Sequence, residues 1–145
     1  MRALLQRVKS GKVSVDGKTI AQIDHGLVIM LGIGQGDTEE QAQSLAEKIA
    51  ELRIFADNEG KFNRSLLDVK GEAIVISQFT LYSDTHKRRR PSFFEAASPE
   101  IAEPLVEKFA GMLNGMGAQV QTGWFGAHML VEIVNDGPVT IMLEK

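Results

Sequence analysis

The 145-residue chain contains no cysteine. Disulfides, thiolate metal sites, iron–sulfur clusters and a cysteine nucleophile are thereby excluded. The absence fits a reducing compartment. No stretch approaches the roughly 20 apolar residues of a spanning helix. The longest apolar run covers 27–33 and holds a glycine. The opening segment, Met1-Arg2-Ala3-Leu4-Leu5-Gln6-Arg7, lacks the sustained apolar core of a signal peptide. A cytoplasmic protein with no membrane attachment is the expectation. The three histidines, His25, His86 and His128, do not pair at metal-binding spacing, and no G-x-S-x-G occurs. No metal and no cofactor are expected. His128, beside a strand, reads as a hydrogen-bonded structural residue.

What is present is ordinary globular sequence, 43% hydrophobic and 24% charged, which argues against global disorder. The length suits one domain and is too short for a typical (β/α)8 barrel of about 250 residues. Sixteen Lys and Arg against nineteen Asp and Glu give a net charge of −3. A globally acidic chain is a poor nonspecific nucleic-acid binder. Against that background one segment is strongly basic: His86-Lys87-Arg88-Arg89-Arg90. Either it is a solvated loop or it is a phosphate contact, since arginine forks bind phosphate bidentately. A single such cluster fits an RNA or nucleotide end better than a long duplex.

Strands open the chain. Residues 3–8 and the alternating 12–15 lead to Asp16-Gly17, a strong hairpin signal, and 18–23 continue the hairpin. The apolar run 27–31 reads as a buried strand. Thr38 and Gln41 stand at capping-box spacing before a helix whose apolar face is Ala42, Leu45, Ala46, Ile49 and Leu52. A second buried strand, 73–76, runs into Ser77-Gln78-Phe79-Thr80-Leu81. Ser98-Pro99-Glu100 starts a second helix with Ile101, Leu105, Phe109, Met112 and Met116 at helical spacing. Pro104 is expected to kink that helix or delay its start. Strands at 119–122, 129–134 and 139–143 follow, the last two separated by Asn135-Asp136-Gly137-Pro138. This mixed order, with hairpins at both ends, predicts an α+β fold rather than a doubly wound sheet.

Three segments are candidates for chemistry. Gly32-Ile33-Gly34-Gln35-Gly36 sits between a strand and a helix, as a dinucleotide-binding turn does. The fingerprint needs glycine at its sixth position, and Asp37 stands there. A flexible connecting loop is the better account. Ser77-Gln78-Phe79-Thr80 clusters polar groups where a buried strand ends, a place where a rigid element positions them. The alternative is a strand edge whose hydroxyls cap the next turn. Gly137-Pro138 reads as a turn. A cis bond there would direct both carbonyls outward, where they can accept hydrogen bonds from an ammonium group; X-Pro bonds are cis in about 5–6% of cases.

Together these motifs identify a resemblance. The chain resembles the D-aminoacyl-tRNA deacylases, also called D-tyrosyl-tRNA deacylases. The resemblance runs from Met1-Arg2-Ala3-Leu4-Leu5-Gln6-Arg7-Val8 to the last strand. It is carried by Gly26-Leu27, Leu52-Arg53-Ile54-Phe55, Ser77-Gln78-Phe79-Thr80-Leu81, Arg90-Pro91-Ser92-Phe93 and Asn135-Asp136-Gly137-Pro138-Val139-Thr140. The Ser-Gln-Phe-Thr and Asn-Asp-Gly-Pro segments at this separation are highly specific. The resemblance implies one deacylase domain over residues 1–145, a mixed, largely antiparallel or barrel-like sheet with two main helices, and a homodimer. It implies hydrolysis of the ester between a D-amino acid, or glycine, and the 3′ end of tRNA.

The resemblance also implies residue roles. Gly137-Pro138 would be the cis pair that reaches into the partner subunit's pocket and holds the substrate α-ammonium. An L side chain would point into that backbone and be excluded. Arg7 would brace the loop, and Ser77, Gln78, Phe79 and Thr80 would line the pocket. Thr80 is assigned a nucleophilic role in the family; a competing view gives the chemistry to the RNA 2′-OH. A threonine nucleophile needs a base within hydrogen-bond reach, and none stands near Thr80 in sequence. Backbone N–H groups of Phe79 and Thr80 can instead stabilise an oxyanion. The family usually carries a glycine before the Arg-Pro-Ser-Phe segment; Lys87, Arg88, Arg89 and Arg90 make this loop more basic and are expected to contact tRNA phosphate. The runner-up reading is a noncatalytic RNA-end or nucleotide-binding module, which has no use for an ammonium clamp. A small-molecule esterase would not need the basic cluster.

Overall fold

Strand β1, Arg2–Val15, organises the molecule by pairing with three other strands. Its first half pairs antiparallel with β3, Gly26–Gly32, and its second half with β2, Lys18–Ile23. Its other edge is covered along its length by β8, Leu130–Glu144. These relations come from a computed structural model, which describes residues 1–86 and 89–145. The two segments read as separate strands at 3–8 and 12–15 form one strand, because pairing with β8 carries the backbone through Lys9–Gly11. Asp16 and Gly17 both adopt positive φ, 49° and 76°, as a tight hairpin turn requires.

The remaining strands extend the sheet through two parallel crossovers. Helix α1, Glu39–Glu51, and the short hairpin of β4, Phe55–Ala56, with β5, Phe62–Arg64, lie between β3 and its parallel neighbour β6, Glu72–Ser77. A 3-10 turn, Phe79–Tyr82, and helix α2, Pro99–Gly115, lie between β6 and β7, Gln119–Thr122, again parallel. The sheet order is β2-β1-β3-β6-β7. Its two ends meet through one side chain: the Gln121 amide donates to Gln22 C=O (2.6 Å) and accepts from Gln22 N–H (3.0 Å). The result is the α+β, nearly closed barrel-like arrangement that the resemblance implied.

Alternation along the strands feeds two cores. Leu27, Ile29, Leu31 and Val75 face the helices, against Leu45, Ile49 and Phe109. Val28, Ile74 and Ile76 face the barrel interior with Val8 and Val13. β1 passes from one core to the other, from Ala3 and Leu5 to Val8 and Val13, with Arg7 and Val8 buried in succession. At that place the register with β8 shifts on both sides of Val8.

Both helices start where the sequence predicts, though the Ser98 side chain makes no capping hydrogen bond to α2. Thr38 makes the capping box with Gln41, and Pro99 occupies the first turn of α2. The buried stripe of α2 is Ala102, Leu105, Val106, Phe109, Ala110 and Leu113. Ile101, expected on that face, is 53% exposed, because it precedes the stripe in the first turn. Pro104 neither delays nor ends the helix. Pro104 and Glu100 are both exposed, so water can satisfy the Glu100 carbonyl that loses its donor. No helix is long and apolar enough to cross a membrane among the described residues.

Candidate active site

Buried β6 ends at Ser77, and the chain turns at once into the 3-10 segment. Gln78 N–H donates to Leu31 C=O of the neighbouring strand at 2.8 Å, which anchors the turn's entry. The first bond of the turn runs from Leu81 N–H to Gln78 C=O at 3.3 Å. Phe79 and Thr80 precede it, so their N–H groups have no partner within the turn. The Gln78 side-chain amide donates to the Thr80 hydroxyl.

Ser77, Gln78 and Phe79 line a cavity of about 630 Å³. Its opposite walls are largely apolar, including Phe93, Ala97 and Ala102 beside Phe125 and Met129. The Phe79 and Phe93 rings meet edge to face, 4.9 Å between centroids. Thr80 is exposed and does not form the cavity wall. His128 does, and among the described residues it is the one titratable side chain in that lining. It is exposed, contrary to its reading as a hydrogen-bonded structural residue. The strand that follows it pairs from Leu130 onward, which leaves His128 in the loop that borders the cavity.

The basic segment leaves and re-enters beside this cavity. Asp84 and Ser92 exchange backbone hydrogen bonds at 2.8 and 3.0 Å, closing the loop one residue before Phe93. Arg89 and Arg90 are exposed on it. Lys87 and Arg88 lie outside the described residues.

The second group of expected site residues lies elsewhere. Asn135–Pro138 does not break β8 into two strands. Residues 136–139 bulge out of the ladder, between the pairs Val8 with Asn135 and Gln6 with Thr140. Asn135 replaces the missing ladder bonds: its amide oxygen accepts from Val139 N–H at 2.7 Å, and its amide nitrogen donates to Val139 C=O at 3.1 Å. An Asn at the root of a turn is the signal for this stitching. Gly137-Pro138 is cis, with both residues exposed. Arg7, opposite the bulge, is buried. Its Nε donates to Asp136 C=O at 2.9 Å and its Nη1 to Ile54 C=O at 2.6 Å. Its guanidinium also lies 5.1 Å from the Phe62 ring centroid. Arg7 therefore ties the bulge to the segment that follows α1. Neither Gly137 nor Pro138 lines the cavity of its own chain.

The glycine-rich segment after β3 serves packing. An ideal Cβ on Gly34 would come within 2.7 Å of Cζ and Oη of Tyr82, so glycine is what admits that ring. The loop is fixed rather than flexible: Gly34 N–H donates to Asp37 Oδ2 at 2.7 Å, and Gln35 N–H to Glu95 C=O at 2.9 Å. Burial pushes the Tyr82 hydroxyl up to about 12; the Asp37 carboxylate adds to the rise and Arg2 opposes it. Tyr82 is the sole tyrosine. Its folded value exceeds the ordinary value of 10. Its contribution to stability is therefore complete below pH 10 and is lost as pH rises toward 12. Absorbance of phenolate in the native protein should show a midpoint near 12, against about 10 in denaturant. A native midpoint near 10 would contradict the burial argument.

Comparison with known proteins draws these features together. Residues 4–144 match the model of a family described as D-Tyr-tRNA(Tyr) deacylase. A D-aminoacyl-tRNA deacylase of Roseiflexus castenholzii is 62% identical over 145 residues, which covers 100% of this chain and 92% of that protein. One from Fervidobacterium nodosum is 55% identical, covering 100% and 97% respectively. Among solved structures, one described as c-Myc DNA Unwinding Element Binding Protein superposes with a TM-score of 0.95 at 38% identity, covering 100% of this chain and 99% of that one. A probable eukaryotic D-amino acid tRNA deacylase shares the fold, with a TM-score of 0.82 at 15% identity and coverage of 98% and 97%.

Proposed function

Since the chain belongs to the D-Tyr-tRNA(Tyr) deacylase family, we propose that the cavity beside Ser77–Thr80 receives the aminoacylated 3′ end of tRNA and hydrolyses its ester. The protein is a D-aminoacyl-tRNA deacylase, a carboxylic ester hydrolase that acts on aminoacyl-tRNA. The observation that carries the assignment of the site is the Ser77–Thr80 segment. It ends a buried strand, borders the cavity and offers two N–H groups without a partner inside their own turn.

In the reaction, water adds to the ester carbonyl and the tRNA 3′ oxygen leaves. Charge develops on the carbonyl oxygen, and the N–H groups of Phe79 and Thr80 would receive it. One such donor is typically worth about 10²–10³ in rate. A nucleophilic Thr80 would need a base, whereas the neighbour of its hydroxyl is the donating Gln78 amide. That favours proton handling by the substrate's 2′-OH.

Chirality is read by backbone. Gly137 and Pro138 are exposed, and they do not line the cavity of their own chain. A homodimer in which each loop enters the partner's cavity gives them a ligand: their carbonyls accept from the α-ammonium, and an L side chain meets the loop. Glycyl-tRNA, with no side chain to exclude, would also be cleaved. The exposed Leu130, Val134 and Met142 of β8 supply apolar surface for that association. Lys87, Arg88, Arg89 and Arg90, on a loop rooted next to Phe93, would contact tRNA phosphate. Reaction in the cytoplasm follows from the substrate.

The test is deacylation of one tRNA charged separately with D- and L-tyrosine, using catalytic amounts of protein. Loss of the D ester with the L ester spared is expected, and Thr80→Ala should keep turnover within about tenfold. Cleavage of both esters would sink the clamp. Binding of tRNA without cleavage of either would favour the noncatalytic module.

A further inference from the structure

The turn that carries Phe79 and Thr80 has only four residues. A 3-10 segment this short supplies few hydrogen bonds of its own and poor geometry in those it has. Its position must come from outside. Gln78 N–H holds the entry. The exit is held by a residue that has no part in the proposed reaction.

Arg2 lies on β1, opposite Gly32 of β3 and Glu144 of β8. Its Nη1 donates to Leu81 C=O, inside the turn, at 2.9 Å. Its guanidinium stands 4.5 Å from the ring centroid of Tyr82, the last residue of the turn. Its Nε pairs with the Glu144 carboxylate. One planar group thus engages a carbonyl, a ring and a carboxylate at once. Lysine cannot reproduce that set, because its ammonium is a compact point charge with no stacking plane. The Tyr82 ring also abuts Gly34, so it has little room to shift. Arg2 is 31% exposed at its side chain. Its ion pair alone would contribute little, but the bond to Leu81 C=O is partly buried.

We propose that Arg2 is a positioning residue for hydrolysis: by holding Leu81 C=O and the Tyr82 ring, it fixes the turn whose N–H groups face the reacting carbonyl. The proposal rests on the deacylase reading given above. A displacement of about 1 Å at reacting groups can cost on the order of 10² in rate, so a loose exit from the turn is read directly in kcat.

Two measurements test it on the full-length protein, with Arg2→Met, Arg2→Lys and Glu144→Gln as variants. The first is steady-state deacylation of D-tyrosyl-tRNA. The second is amide hydrogen exchange at Leu81 and Ser83, with α2 as the internal reference. Arg2→Met should lower kcat by about tenfold with KM within about twofold, a loss confined to the transition state. It should speed exchange at Leu81 and Ser83 by about tenfold while α2 exchanges as before. Arg2→Lys should fall between wild type and Arg2→Met, and Glu144→Gln should show a smaller loss of the same kind. Unchanged kcat in Arg2→Met, or exchange that accelerates equally in α2, would overturn the proposal. Wild-type protein that leaves D-tyrosyl-tRNA intact would overturn the deacylase reading instead; the exchange data would then still decide whether Arg2 holds the turn.

Discussion

Alanine at Gly137 is expected to lower kcat/KM for D-tyrosyl-tRNA by about 100-fold, the scale set by a misplacement of roughly 1 Å at the reacting groups. Gly137 has φ +144°, where an L side chain is strained. Its added Cβ would lie 2.7 Å from Val139 Cγ2, 3.0 Å from Val139 N and 3.1 Å from Arg7 Nη2. The Val139 backbone cannot yield, because Asn135 grips its N–H and C=O. Arg7 cannot yield without loosening its bonds to Asp136 and Ile54. The loop itself must therefore move, and under the proposed clamp its carbonyls leave the ammonium. Gly137 and Pro138 are exposed, so the melting temperature should fall by only a few degrees. Steady-state kinetics alongside a thermal melt would check both statements. Retention of near-normal D-specific turnover would remove Gly137 from the mechanism.

Phe109→Ala should have the opposite profile. Phe109 is fully buried between α2 and the sheet. Its removal should cost about 3–5 kcal/mol, from lost burial plus the cavity left behind. For a chain of this size that corresponds to a fall in melting temperature of roughly 10–16 °C. Well below that temperature, turnover should be close to wild type, because the residue does not line the cavity. Phe79→Ala makes the contrast. Phe79 is 55% exposed, so its loss should change stability by no more than about 1 kcal/mol. A Phe109→Ala protein as stable as wild type would mean the helix layer contributes less than its burial indicates.

Much of this protein is legible in its residues alone. Capping chemistry marks the starts of α1 and α2, Asp16-Gly17 marks the first hairpin, and apolar runs mark β3 and β6. These are local signals, written within a few residues. The Ser77–Thr80 and Asn135–Thr140 segments are also plain as motifs. The sequence could not say that residues 2–15 form one strand, since pairing with β8 is what carries it past Lys9–Gly11. Nor could it say that Asn135–Pro138 is a bulge within a strand, because the Asn135 amide substitutes for ladder bonds only when β1 lies alongside. Gly34 reads as flexibility and proves to be space for Tyr82, a ring far along the chain. His128 borders the cavity only through the packing of its loop. Arg2 carries no signal at all, because its partners are a carbonyl, a ring and a carboxylate from remote segments. Sequence by itself determined both helices, the first hairpin turn, the buried strands β3 and β6, the absence of cysteine chemistry and the family motifs. Tertiary structure alone decided which of those motifs share a cavity and what holds each in place, since such contacts depend on long-range pairing that no local pattern records.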